Sequence, residues 1–286
     1  MGWNESIAGN ARGAIWKRII VEGNLSSRIW MQPFGKINDI LLNLGQISML
    51  FAETCKAFFR RKLSFGDFLY QLYFIGIKSQ SVVLITGGFT GMVLAAQTFL
   101  QFHKVRMDTA TMAVVSVSMC SQLGPVLTGL MVAGRVGASI AAELGTMKVT
   151  EQIDALRTLA THPVDFLVLP RVTASIIALP ILTAEAIAIG ISAGFMVTVS
   201  LMRVDPTYTW ANMIKYTVPN HLYAGLIKGL VFGGIISVVS CYKGMNCGEG
   251  AEGVGRATTQ AVVYSSITIL ISNFFLTLLL GKVLAP

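Results

Sequence analysis

The sequence predicts an all-α integral membrane protein, with about five transmembrane helices preceded by an N-terminal amphipathic helix lying in the interface. Three observations predict it. Hydrophobic residues make up 53% of the 286-residue chain, charged residues only 13%, and the mean hydropathy is +0.66. Soluble domains carry about 25% charged residues, and one of this size has no interior able to hide so much apolar surface. Five separate stretches are apolar over the roughly 20 residues that a helix needs to cross the hydrocarbon. The basic residues are also concentrated, with ten of the 22 Lys and Arg lying before residue 80. Together these exclude a soluble enzyme, a disordered chain and a nucleic-acid binder.

Residues 1–36 read as a basic cytoplasmic extension. Asn4, Glu5, Asn10 and Arg12 leave no apolar core for a cleavable signal peptide. Residues 37–80 read as interfacial helices. Over 37–59 the chain is apolar but interrupted by Asp39, Glu53 and Lys56, while Ile40, Leu44, Ile47, Leu50 and Phe51 recur at helical spacing. An amphipathic helix in the interface fits this better than a sixth span. Arg60, Arg61 and Lys62 would then lie among lipid headgroups, and 64–77 reads as a second helix leading into the first span. The five spans, within 81–286, cover 81–102, 113–142, 172–202, 222–242 and 261–284, with short connections. An odd number puts the termini on opposite sides. The basic N-terminal segment fixes its own side as cytoplasmic, so the C-terminus is expected outside.

Helices in lipid gain little from hydrophobicity and depend on close packing. Gly87 and Gly91 are spaced for that, as are Gly129, Ala133, Gly137, Ala141 and Gly145, and Gly225, Gly229 and Gly233. These rows serve packing within one subunit, or one of them, such as Gly87 with Gly91, forms a dimer seam. Lys228 lies inside the fourth span, where a charge is costly and usually functional. Glu185 is a second intramembrane charge, with Lys228 or Arg135 as its expected partner.

The segment from Glu143 to Arg157 is the most informative. Thr150 is placed to cap a helix starting at Glu151, whose carboxylate suits the positive end of the helix dipole, and Pro163 ends the element. This predicts a short cytoplasmic helix near 150–158. Several stretches around it resemble one family: Leu123-Gly124-Pro125, Ala133-Gly134-Arg135-Val136-Gly137-Ala138, Ala142-Glu143-Leu144-Gly145-Thr146-Met147, Glu151-Gln152-Ile153-Asp154-Ala155-Leu156 and Pro170-Arg171. Gly91-Met92-Val93-Leu94-Ala95-Ala96-Gln97 and Gly255-Arg256-Ala257-Thr258-Thr259-Gln260-Ala261-Val262-Val263 agree as well. The chain resembles the MlaE family of ABC-transporter permeases over roughly residues 40–284, with the first 35 or so residues left over.

The resemblance implies a homodimeric permease that moves phospholipid between the inner membrane and an MCE-domain protein. A cytoplasmic ABC ATPase would bind the ATP and magnesium, and a small STAS-like accessory subunit would complete the system. This chain itself needs no cofactor or metal. The family's coupling helix maps onto Glu151, Gln152, Ile153, Ala155 and Leu156, with Arg135 and Glu143 as bracing residues. Its lipid cavity maps onto Leu94, Gln97, Gln101, Gln122, Leu123 and Lys228. One departure matters: many relatives carry an Arg-Glu pair where this chain has Ser121-Gln122, so the polar end of the cavity is neutral here.

Other patterns carry little. Gly248 to Gly253 matches GxGxxG without the preceding strand that a dinucleotide site requires. His103, His162 and His221 are scattered, the four cysteines form no CxxC pair, and no GxxxxGK[ST] is present to hydrolyse ATP. A secondary transporter would show repeats and a midplane row of ionisable groups. A lipid-modifying enzyme would need a convergent catalytic set.

Overall fold

The computed structural model describes residues 45–58, 65–159 and 162–283, and every regular element among them is helical. Helix α1 covers 45–58. Five helices are long and apolar enough to cross a membrane: α2 (Phe65–His103), α3 (Asp108–Val149), α5 (Val164–Leu201), α7 (Pro219–Met245) and α8 (Gly250–Val283). Two short helices, α4 (Gln152–Thr158) and α6 (Pro206–Tyr216), occupy connections. The chain is thus a multi-pass membrane protein of the expected fold class. The 1–36 extension and the expected positions of Ile40, Leu44, Arg60, Arg61 and Lys62 lie outside the described residues.

Two local readings change. The helix expected over 64–77 is not separate from the first span. It continues through a π turn at Tyr73–Ile77 directly into the rest of α2. No proline interrupts this stretch, and its two glycines, Gly66 in the first turn and Gly76, each cost a helix at most about 1 kcal/mol. Conversely, the connection between the third and fourth spans holds α6, which was not anticipated. Its signal was Asp205-Pro206: the Asp205 carboxylate accepts from the Thr207 and Tyr208 amides at 2.8 and 3.2 Å, and Pro206 takes the first helical position, where its missing N–H is harmless.

The central elements are α5 and α7. Helix α5 packs on α2 on one side and on α7 on the other, and α7 also meets α8 and the later part of α3. Small residues set these distances. A Cβ at Gly91 would strike the Gly190 carbonyl, and one at Gly87 would lie 2.9 Å from the Ala186 carbonyl oxygen. Gly87 and Gly91 are therefore used up against α5 of the same chain and are not free to form a dimer seam. Helix α8 is the least enclosed of the spans, with Phe274, Phe275, Leu278 and Leu279 exposed.

Candidate functional site

The cavity around Lys228 begins with a break in α3. A π turn runs over Met119–Leu123, and the Gly124 amide donates to the Met119 carbonyl. In a regular helix that amide would serve Cys120, so the Cys120 carbonyl is released. Pro125 has no N–H to return to Ser121, so that carbonyl is released too. Helix α7 closes on this break. Gly225 faces the Cys120 carbonyl so closely that a Cβ would strike it. One turn on, Lys228 is only 1% exposed. Its ammonium donates to the Ser121 carbonyl at 2.8 Å, to Gln122 Oε1 at 3.0 Å and to the Thr277 hydroxyl at 2.9 Å. All three donors of the ammonium are used on neutral acceptors, and no carboxylate is among these partners.

The acceptors are themselves held. Asn273 Nδ2 also donates to Gln122 Oε1, at 3.4 Å, and Thr277 donates to the Asn273 carbonyl at 2.7 Å. Lys228 forms the floor of a cavity of about 390 Å³, walled by Ser121, Gln122, His221, Thr277 and Leu280. Val218 at the start of α7 and Gly281 near the end of α8 line the same cavity, so it lies toward the end of the bundle opposite α4.

Of the six expected cavity residues, the structure brings Gln122 and Lys228 together. Leu94 and Leu123 instead pack on a core of Ala95, Met112, Val115, Met119 and Met213. Gln97 and Gln101 are exposed on α2, which does not line this cavity. Adjacent residues on a helix diverge by about 100°, so Gln122 and Leu123 cannot both face one cavity. Sequence reasoning missed Asn273 and Thr277. Their signal was a polar pair four apart in an otherwise apolar span. Glu185 meets neither expected partner: its Oε1 accepts weakly from Gln80 Nε2 at 3.4 Å.

At the other end of α3, the chain turns through Glu151, which has a positive φ of 58°, into α4. Thr150 does not cap this helix. Its hydroxyl donates back to the Thr146 carbonyl at 2.8 Å, which helps to end α3 instead. Helix α4 is attached at two points. Ile153 is buried at 1% exposure, and Lys148 donates to Asp154 Oδ2 at 2.8 Å. The hydrogen bond from Lys148, with Arg157 assisting at 3.0 Å, holds the Asp154 carboxyl below its usual value. Ile153 is thus an inward anchor and not a contact surface. Glu151, Gln152 and Ala155 are exposed, and Leu156 is half-buried. The α7–α8 connection lies alongside: Cys247 donates to the Gly145 carbonyl at 3.3 Å, and partial burial raises its thiol pKa. A cavity of about 390 Å³ lies between Lys148, Glu151 and Asp154 on one side and Cys247 to Gly250 on the other.

The two expected bracing residues bond to other spans and not to α4. Glu143 binds the buried Arg171 at 2.8 Å, tying α3 to α5, while Arg135 donates to Ser79 Oγ on α2 at 2.7 Å. The Gly248–Gly253 pattern is the turn into α8, with Gly250 at φ 70°, preceded by a helix. Among the described residues, no group of three or more His, Cys, Asp or Glu is placed to hold a metal.

Comparison with known proteins agrees with this layout. The family described as Permease MlaE matches residues 68–279. A Rickettsia bellii protein named probable ABC transporter permease protein is 46% identical over 84% of this chain and 93% of its own length. The Arabidopsis thaliana protein TRIGALACTOSYLDIACYLGLYCEROL 1, chloroplastic, is 38% identical over 75% of this chain and 61% of its own length. The Haemophilus influenzae intermembrane phospholipid transport system permease protein MlaE is 34% identical over 72% of this chain and 80% of its own length. With the family match covering most of the chain and reaching into all five long helices, this protein belongs to the MlaE permease family.

Proposed function

We propose that the chain is the non-catalytic membrane subunit of an ATP-driven phospholipid transporter. The observation that carries the reading is Lys228: a buried ammonium, held by neutral acceptors alone, at the floor of a cavity of ligand size. Such a cation keeps an unneutralised charge for an anionic group entering the cavity, and a lipid phosphate is the anion that a membrane supplies. The name of the Haemophilus relative supports phospholipid as the cargo.

The drive is assigned to a separate cytoplasmic ATPase, which binds the ATP and magnesium and docks on Glu151, Gln152, Ala155 and Leu156. Helix α3 links the two sites. It presents Ser121 and Gln122 to the cavity near one end and carries Lys148, which grips α4, at the other. A push on α4 is therefore delivered along α3, and its π turns at Met119–Leu123 and Ala133–Gly137 are the places where it can yield. Two copies would face each other, with the exposed Gln97 and Gln101 completing the lipid path. In this reading the membrane is the bacterial inner membrane. The N-terminus and α4 face the cytoplasm, and the C-terminus and cavity face an MCE-domain partner. A STAS-like subunit completes the assembly.

The test is to co-express the chain with its neighbouring genes, isolate it in mild detergent and reconstitute it in vesicles. Co-purification of an ATPase and an MCE-domain protein, with lipid transfer that stops without ATP, is the expected result. Lipid transfer by the chain alone, unchanged by ATP, overturns the reading in favour of a secondary transporter. Chemical conversion of the lipid would point to an enzyme.

A further inference from the structure

A second polar position lies inside the membrane region, away from Lys228. Glu185 sits near the middle of the 38-residue α5, in a groove of about 400 Å³ between α5 and the first half of α2. The π turn at Tyr73–Ile77 and the facing pair Gly76 and Ala178 leave this space open. Its walls are apolar and its rim is exposed at Tyr73, Ile77 and Ile181, so in a membrane-spanning chain the groove is open to the surrounding lipid.

The floor of the groove is not apolar. Glu185 Oε1 has only the long 3.4 Å contact from Gln80, and Oε2 is enclosed with no hydrogen-bond partner. None of the ion pairs among the described residues involves Glu185. The cations of neighbouring turns are engaged elsewhere: Lys78 Nζ lies 5.1 Å over the Phe74 ring, and Arg135 donates to Ser79. An acidic group with an unmet demand for donors, at the end of an apolar groove open to lipid, calls for a donor that arrives with the lipid.

We propose that this groove is a second lipid site, separate from the Lys228 cavity, and that it takes a lipid with a primary ammonium headgroup. The ammonium donates to Glu185 while an acyl chain lies along Ile77 and Ile181. The two sites are complementary in sign, since Lys228 attracts an anion and Glu185 a cation. The proposal does not depend on transport.

The test uses the full chain in nanodiscs of equal parts dioleoyl phosphatidylethanolamine, phosphatidylcholine and phosphatidylglycerol, with retained lipid counted by native mass spectrometry. The choline head has no N–H to donate. A charge-assisted hydrogen bond therefore predicts about tenfold preferential retention of the ethanolamine lipid over the choline lipid. Glu185→Leu abolishes that preference, while Lys228→Met leaves it intact. Should Glu185→Leu fail to fold, Ile181→Trp fills the groove without touching the acid and removes one retained lipid. Equal retention of all three lipids by the wild type, or the same lipid spectrum in wild type and Glu185→Leu, overturns the proposal. A chain that keeps the preference but moves no lipid with ATP overturns only the transport reading.

Discussion

Lys228 on α7 donates to the main-chain carbonyl of Ser121 on α3 at 2.8 Å, and that carbonyl is available because Pro125 cannot supply its helical donor. One residue breaks a helix and another, more than a hundred positions later, fills the gap. The exchange also places a positive charge where a hydrogen bond would otherwise have closed on itself.

Replacing Lys228 by Met removes the charge and leaves Ser121, Gln122 and Thr277 short of a donor. Loss of a charge-assisted contact to a lipid phosphate is worth about 1.5–3 kcal/mol, so phospholipid retention in detergent should fall by roughly 10- to 100-fold. Quantitative lipid analysis of the purified protein reads this directly. Retention within twofold of wild type would remove Lys228 from the lipid site.

Pro125→Ala separates packing from function. The new amide N–H can serve the Ser121 carbonyl and compete with Lys228 for it. Proline inside a helix costs about 3 kcal/mol, so the variant should melt no lower than wild type in detergent. Phospholipid retention should nonetheless drop, because the ammonium loses one of its three acceptors. A drop in melting temperature with unchanged retention would mean that Pro125 serves packing alone.

The long helices were legible because length and hydropathy alone specify a span, and Lys228 stood out because charge inside a span is expensive. The partners of Lys228 were not legible. Apart from Gln122, one is Thr277, which like Asn273 behind Gln122 is a polar residue that any span tolerates singly, and the other is a backbone carbonyl whose release depends on a π turn and Pro125. The actual partners of Arg135 and Glu143 were not legible for a similar reason. Eight residues along a helix place two side chains on one face but not within reach, and Arg171 and Ser79 from other helices were closer. Thr150 was misread because a threonine followed by an acid looks like a cap whichever helix its hydroxyl finally serves.

Glycines on the contact rows should differ sharply from those off them. Gly91→Ala forces a Cβ into the Gly190 carbonyl, where two backbones must separate. Overpacking of this kind costs about 1–3 kcal/mol. Gly134, inside the motif Ala133-Gly134-Arg135, has no atom within 4 Å of a Cβ, and Gly134→Ala should be neutral or slightly stabilising. Thermal unfolding of the two variants, followed by size-exclusion in detergent, makes the comparison. Equal melting temperatures would show that α2 and α5 are not held at this contact.

The hold on α4 makes the last prediction, and it concerns coupling. The Asp154 carboxyl is held low by Lys148, so the attachment it provides is present above the ordinary aspartate value of roughly 3.9 and is lost as pH falls through the depressed one. Between pH 6 and 8 the wild-type link should therefore not vary, and Asp154→Asn should weaken it equally across that range. Ile153→Ala removes the other anchor, at about 2–4 kcal/mol for a buried aliphatic side chain. Amide exchange over 152–158 should accelerate at least tenfold in Ile153→Ala, and less in Asp154→Asn, since that pair is partly exposed to solvent. In the assembled complex both variants should lower ATP-driven lipid transfer more than ATP hydrolysis, because a loosened α4 absorbs the push that α3 would have delivered. Faster exchange with unimpaired transfer would show that the ATPase engages the membrane subunit somewhere other than α4.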